Sequence, residues 1–223
     1  MTLEDELVAQ RQRAHEQRSP EERAVRAGAI TAVANSKVPD RALCVGETIP
    51  RIELSDAMGR LVDSRELLSR GPLVLSFYRG GWCPYCNIEL RALQARLADI
   101  QALGASLAAI SPELPDRSLT TAEKNSLAFP VLSDKGNHVA RQFRLTHQIA
   151  PQVVGYQLGN GNDVAAFNGS DVAEVPLPAT YVVDTGGVAR FAFVSADYTR
   201  RAEPDAILST LRDLATAGSG YTR

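Results

Sequence analysis

Two cysteines separated by two residues, in the run Trp82-Cys83-Pro84-Tyr85-Cys86, are the side chains best placed to do chemistry. A thiolate is a nucleophile, and two thiols at this spacing can close a disulfide. The apolar run Leu73–Tyr78 and the pair Gly80-Gly81 precede them; Leu90, Leu93 and Leu97 follow at helical spacing. The spacing therefore predicts a buried strand that turns into a helix at Cys83. The first N–H groups of a helix have no partner within it, and its dipole is positive at that end. An anion is favoured there, and such a site can bring a thiol from about 8.5 into the range ~3.5–7.5. Pro84 suits the first helical position, because the N–H it lacks would be unpaired in any case. Cys83 is thus the expected attacking thiol, and Cys86, one turn further in, the expected resolving thiol.

The elements that must hold this pair follow from the pattern on either side. Residues 3–18 and 20–34 read as two helices, the second started by Ser19-Pro20-Glu21-Glu22. They form an expected N-terminal helical arm, residues 1–40, that packs on the core or on another subunit. Val38-Pro39-Asp40 reads as a linker. Arg51–Leu54 and Arg60–Val62 read as a short hairpin, and Asp63 or Ser64 as the cap of the next helix. From Leu73 strands and helices alternate: a helix over 84–103, a strand at Ala105–Ile110, a helix to about 126, a strand at Val131-Leu132 and a helical turn at 137–143. This order implies parallel strands covered by helices on both faces. Residues 146–177 show no clear period. Two strands flank the turn Asp184-Thr185-Gly186-Gly187, and a last amphipathic helix spans 204–217.

Composition narrows the function classes. The 223 residues are 44% hydrophobic and 22% charged, with net charge −2, ordinary values for a globular chain without a basic patch for nucleic acid. No apolar run approaches the ~20 residues a bilayer span needs, and the start Met1–Glu6 is acidic, so the expected setting is cytoplasmic. Three cysteines suit a catalytic pair with one spare better than a disulfide framework. The plainer alternatives for Cys83 and Cys86 are half a zinc site or buried structural thiols. Zinc takes four ligands, and Cys44, His15, His138 and His147 do not stand at ligand spacing. Cys44 reads as a small buried hydrophobe. Tyr85 reads as a part-exposed contact residue, and Asp197–Arg201 as a solvated loop. Arg79 is either a surface charge or an electrostatic aid to the thiolate.

A CxxC that opens a helix after a strand, followed by a β-hairpin and a last helix, resembles the thioredoxin fold. Cys83-Pro84-Tyr85-Cys86 is similar to the glutaredoxin site, and Trp82 to its thioredoxin counterpart. Val45–Pro50, Ile110–Glu113, Phe129–Asp134 and Tyr181–Gly187 resemble the peroxiredoxin branch, the alkyl hydroperoxide reductase/thiol-specific antioxidant (AhpC/TSA) family. Phe77–Cys86 is similar to its peroxiredoxin-like subgroup. The resemblance implies an α/β, thioredoxin-like fold over residues 41–223, a central mixed sheet flanked by helices. It also implies that Pro178 is a cis-proline facing the cysteines, with Gly81, Trp82, Pro84 and Tyr85 around them.

The chain departs from that family's Pro-x-x-x-Thr/Ser-x-x-Cys pattern. Gly80 stands at the hydroxyl position and Ser76 at the proline position, while Pro178 takes the place of the family's arginine. Thioredoxin's buried acid corresponds to Phe77. Arg79 is the nearby charge left to stabilise a thiolate. The function the resemblance implies is an antioxidant oxidoreductase that reduces hydroperoxides through Cys83. A Cys83–Cys86 disulfide would then be recycled by an external thiol such as thioredoxin or glutathione. No bound cofactor and no metal are expected, and a homodimer is a candidate assembly. The alternative is a disulfide reductase without significant peroxidase activity.

Overall fold

The structure, a computed structural model, describes residues 2–219, so the last four residues of the expected domain lie outside it. The chain begins with three helices, α1 (Leu3–Gln17), α2 (Pro20–Asn35) and α3 (Val38–Arg41). An antiparallel pair, β1 (Glu53–Ser55) and β2 (Leu61–Asp63), leads into α4 (Ser64–Arg70). The central part runs β3 (Leu73–Phe77), α5 (Pro84–Ala95), α6 (Leu97–Ala102), β4 (Ser106–Ser111), α7 (Pro115–Lys124), β5 (Val131–Ser133) and α8 (His138–Gln142). Then come β6 (Thr146–Gln148), α9 (Pro151–Gly159), α10 (Val164–Phe167), β7 (Glu174–Pro176), β8 (Ala179–Val183), β9 (Ala189–Val194) and α11 (Pro204–Ser219).

Five strands form the central sheet in the order β5-β4-β3-β8-β9. β3, β4 and β5 run parallel, whereas β8 and β9 are antiparallel, which makes the sheet mixed, as in the expected thioredoxin-like fold. β3 and β8 are buried along their whole length. Because successive strand side chains point to opposite faces, Val74, Leu107 and Val182 enter one core half with α1, α5 and α11. Leu75, Ile110, Tyr181 and Val183 enter the other, with Phe143 and Ile52. Leu3 and Leu7 of α1 belong to the first half, and α1 lies against α5.

Three local readings of the sequence are corrected. The linker at Val38-Pro39-Asp40 is one turn of helix, α3, with proline in its first turn. The helix over 84–103 is two, because Arg96 leaves helical geometry (φ −106°, ψ 7°) between α5 and α6. Residues 146–177 hold the β6–β7 pair and two short helices around Ile149, Val153, Val164 and Val175. Elements of three to nine residues are too short to show a hydrophobic period.

Candidate active site

Cys83 is the N-cap residue of α5, with extended backbone (φ −89°, ψ 115°), and Pro84 is exposed in the first turn. Cys83 is 1% exposed and Cys86 0%. Both thiols are free. The loop before them is fixed by a residue the sequence reading passed over: Asn87 donates to the carbonyls of Gly81 (2.8 Å) and Cys83 (3.0 Å) and accepts from Asn125, the C-cap of α7 (2.8 Å). Gly80 has φ +143°, and a Cβ there would come within 2.3 Å of Trp82 Nε1 and 2.9 Å of Glu113 Oε1. A Cβ on Gly81 would meet Thr121 Oγ1 at 2.1 Å. The two glycines are demanded by close packing, which explains why no hydroxyl residue stands three before Cys83.

Two buried guanidinium groups set the electrostatics. Arg79, 4% exposed, lies between the rings of Trp82 (4.7 Å) and Tyr198 (4.5 Å), and its Nε has no hydrogen-bond partner. Arg201 pairs with Glu89, which also accepts from Thr180 Oγ1 (3.2 Å), and donates from Nη2 to Cys86 Sγ at 3.0 Å. Burial pushes the Cys83 thiol up, but a hydrogen bond with Cys86, the charges of Arg79 and Arg201 and the Cys86 N–H outweigh it. The thiol of Cys83 is held well below its ordinary value. Burial and the neighbouring Cys83 hold Cys86 well above it, against the pull of Arg201. One buried pair thus contains a favoured thiolate and a favoured thiol.

A second carboxyl closes the site. Glu113, after β4, accepts from the Gly81 N–H at 2.8 Å, and burial pushes it up to about 7. Burial also raises Glu89, against the opposing pull of Arg201. Thioredoxin's buried acid corresponds to Phe77; here Glu89 on α5 and Glu113 after β4 supply buried carboxyls within the field of Cys83 instead. No local pattern marks Glu89 or Arg201, because their partners stand far off in sequence, and Glu113 is visible there only as the end of the run Ile110–Glu113.

The structure gathers Arg79, Gly81, Trp82, Cys83, Pro84, Tyr85 and Cys86 at the β3–α5 turn, and the register Phe77 opposite Ala179 brings Pro178 beside it. Pro178 is corrected in one respect: there is no cis peptide bond among the described residues, so Leu177–Pro178 is trans. The chain runs on extended from β7 into β8, and trans is the intrinsically favoured form. Tyr85 is buried, not part-exposed, and packs edge-on against Tyr198 (5.8 Å); burial pushes its phenol up to about 12. Arg79 is not a surface charge. Cys44 is exposed, because its neighbours Ala42 and Leu43 take the core positions. The 197–201 loop is not wholly solvated: Thr199 and Arg201 are buried, since Arg201 reaches inward to Glu89. Among the described residues no group of three or more His, Cys, Asp or Glu could hold a metal ion, and no helix is long and apolar enough to cross a membrane.

The AhpC/TSA family model matches residues 45–192. Peroxiredoxin Bcp of Escherichia coli (strain K12) is 29% identical over 101 residues, 45% of this chain and 64% of the relative. The match thus spans less than two thirds of the first curated relatives' length. A putative peroxiredoxin of Mycobacterium tuberculosis is 27% identical over 170 residues, 75% of this chain and 95% of the relative. Among solved structures, peroxidoxin BcpB of M. tuberculosis superposes with TM-score 0.60 at 26% identity, covering 77% of this chain and 98% of the other. The bacterioferritin comigratory protein of Xanthomonas campestris, at 19% identity and TM-score 0.55, shares the fold, covering 74% of this chain and 92% of the other.

Proposed function

The chain belongs to the AhpC/TSA family, and from that membership we propose that it is a thiol peroxidase with Cys83 as nucleophile and Cys86 as resolving thiol. The arrangement that carries this reading is two buried thiols at one helix start, with Cys83 the N-cap of α5 and within the field of Arg79 and Arg201, which favours its thiolate. The Cys83 thiolate attacks one peroxide oxygen, the O–O bond breaks, and the leaving oxygen takes a proton to depart as an alcohol or water. Cys83 is then a sulfenic acid. Cys86 attacks its sulfur, the Cys86 proton leaves with the hydroxyl as water, and the Cys83–Cys86 disulfide forms. Two thiols of an external reductant, of the thioredoxin or glutathione type, restore the pair by exchange. No bound cofactor takes part. A cytoplasmic setting and a homodimer belong to the same reading.

In this scheme Arg79 stands in for the family's side-chain donors, polarising the leaving oxygen as charge develops on it. Removing one such donor typically costs ~10²–10³ in rate. Gly81 lets the loop pack closely, Pro84 starts the helix, and Trp82 and Tyr85 wall the site. In this reading Pro178, just before β8, borders the site. The close fit of Gly80 favours the second reading, a disulfide reductase, because it keeps a hydroxyl out of the peroxide site. Stopped-flow oxidation of the reduced protein by hydrogen peroxide, beside a disulfide-reduction assay, separates the two. The peroxidase reading expects oxidation far faster than that of a free thiol, slower than in typical peroxiredoxins, and lost in Cys83→Ser. A free-thiol rate alongside brisk disulfide reduction selects the second.

A further inference from the structure

A cavity of about 290 Å³ is walled by the arm and by the 146–177 segment, with Arg79 in its lining. Ala29, Ile30 and Val33 of α2 form one wall; Ile149 and Val153 form the other. α2 lies against α9. This lining is largely aliphatic, and it includes Arg79, buried, in no ion pair among the described residues, with its Nε unpartnered. A buried charge is normally paired, because desolvation without a counter-charge is costly. The two rings beside Arg79 offer only their faces.

The other polar groups at the cavity do not answer that charge. Arg26 is paired with Glu22. His147 is half-buried; burial and then Arg79 lower its imidazole to about 4, so it is neutral at pH 7. Tyr198 presents its ring. A ligand that suits an aliphatic cavity lined by one cation without a carboxylate partner has an apolar body and one anionic head.

We propose that this cavity is a binding site for an apolar monocarboxylate, its head paired with Arg79. Occupancy would give Arg79 a fixed counter-charge and divide its field between the carboxylate and Cys83. The ligand would thereby slow reaction at Cys83 without touching sulfur. Binding does not depend on the peroxidase reading; the consequence for turnover does rest on it.

The test uses octanoate as probe and 1-octanol as its uncharged match, on the reduced full-length protein. Trp82, the chain's single tryptophan, stacks on Arg79, so its fluorescence reports the head group. Octanoate should give a saturable change, with 1-octanol at least about tenfold weaker, as befits a charge-assisted contact. Iodoacetamide labelling of Cys83 at pH 7 should slow at saturating octanoate. Ala29→Phe, which fills the cavity, should abolish both effects while leaving unliganded Cys83 labelling as in the wild type. Equal affinity for octanol and octanoate in the wild type would overturn the proposal whether or not the variant folds. So would full octanoate binding in Arg79→Met. Labelling and binding are read without peroxide, so loss of the peroxidase reading and loss of this one are distinguishable.

Discussion

Two buried arginines flank the cysteine pair, and they are satisfied in opposite ways. Arg201 is enclosed: it pairs with Glu89, donates to Cys86 and to the carbonyls of Tyr198 and Arg200. Arg79 has two aromatic faces, a cavity and the nearby Cys83, but no carboxylate. The first holds the architecture of the Cys86 side together; the charge of the second is uncommitted and falls on Cys83. The same residue type thus does structural work on one side of the site and electrostatic work on the other.

The largest expected effect is at the enclosed arginine. Arg201→Met leaves Glu89 buried without its partner, which should cost roughly 3–5 kcal/mol of stability in urea unfolding. Arg79→Met removes no ion pair with a carboxylate but does remove two cation–π contacts, and should cost about 1–2 kcal/mol, less than Arg201→Met. Equal losses in the two variants would break the comparison. Glu113 tests the carboxyl beside Gly81. Its folded value, about 7, lies above the ordinary 4.5, so its contribution is fully present below pH 4.5 and lost as pH rises through 7. A change of that size corresponds to roughly 3 kcal/mol. Glu113→Gln should flatten that part of the stability–pH curve; an unchanged curve would show the carboxyl is not held protonated.

A smaller loss is expected at the glycine loop. Gly80→Thr restores the family's hydroxyl at a backbone angle that disfavours it and against Trp82 and Glu113, and should cost on the order of 1–3 kcal/mol. A rise in peroxide rate without a loss of stability would show the loop has room. The smallest effect is at Cys44, exposed and outside the site. Cys44→Ala should keep wild-type turnover, measured under the same conditions.

The same contrast explains what was legible in the sequence. The strand–turn–helix around Cys83 was readable because its signals are local: an apolar run, two glycines, a proline in the first helical turn and leucines at helical spacing. Arg79 could be picked out for being four residues from Cys83. Arg201 could not, since it stands 115 residues beyond Cys86 and reads as part of a polar loop. Glu89 shares a helix with Cys86, yet only the tertiary fold shows that it faces inward. Tyr85 is hidden from a local reading for the same reason: its ring packs against Tyr198, a residue from the far end of the chain. Cys44 failed in the reverse sense, since apolar neighbours in sequence do not bury a residue that points the other way.

The most direct test of the central claim, that the site separates its two thiols and gives the thiolate to Cys83, is the pH profile of iodoacetamide labelling. Each cysteine is resolved by mass spectrometry in the wild type and in Arg79→Met. Cys83 should label at pH values well below the ordinary thiol value of about 8.5, with Cys86 unlabelled across the same range. In Arg79→Met the Cys83 profile should move to higher pH. Labelling of Cys86 before Cys83, or a Cys83 profile unmoved by loss of Arg79, would contradict the account.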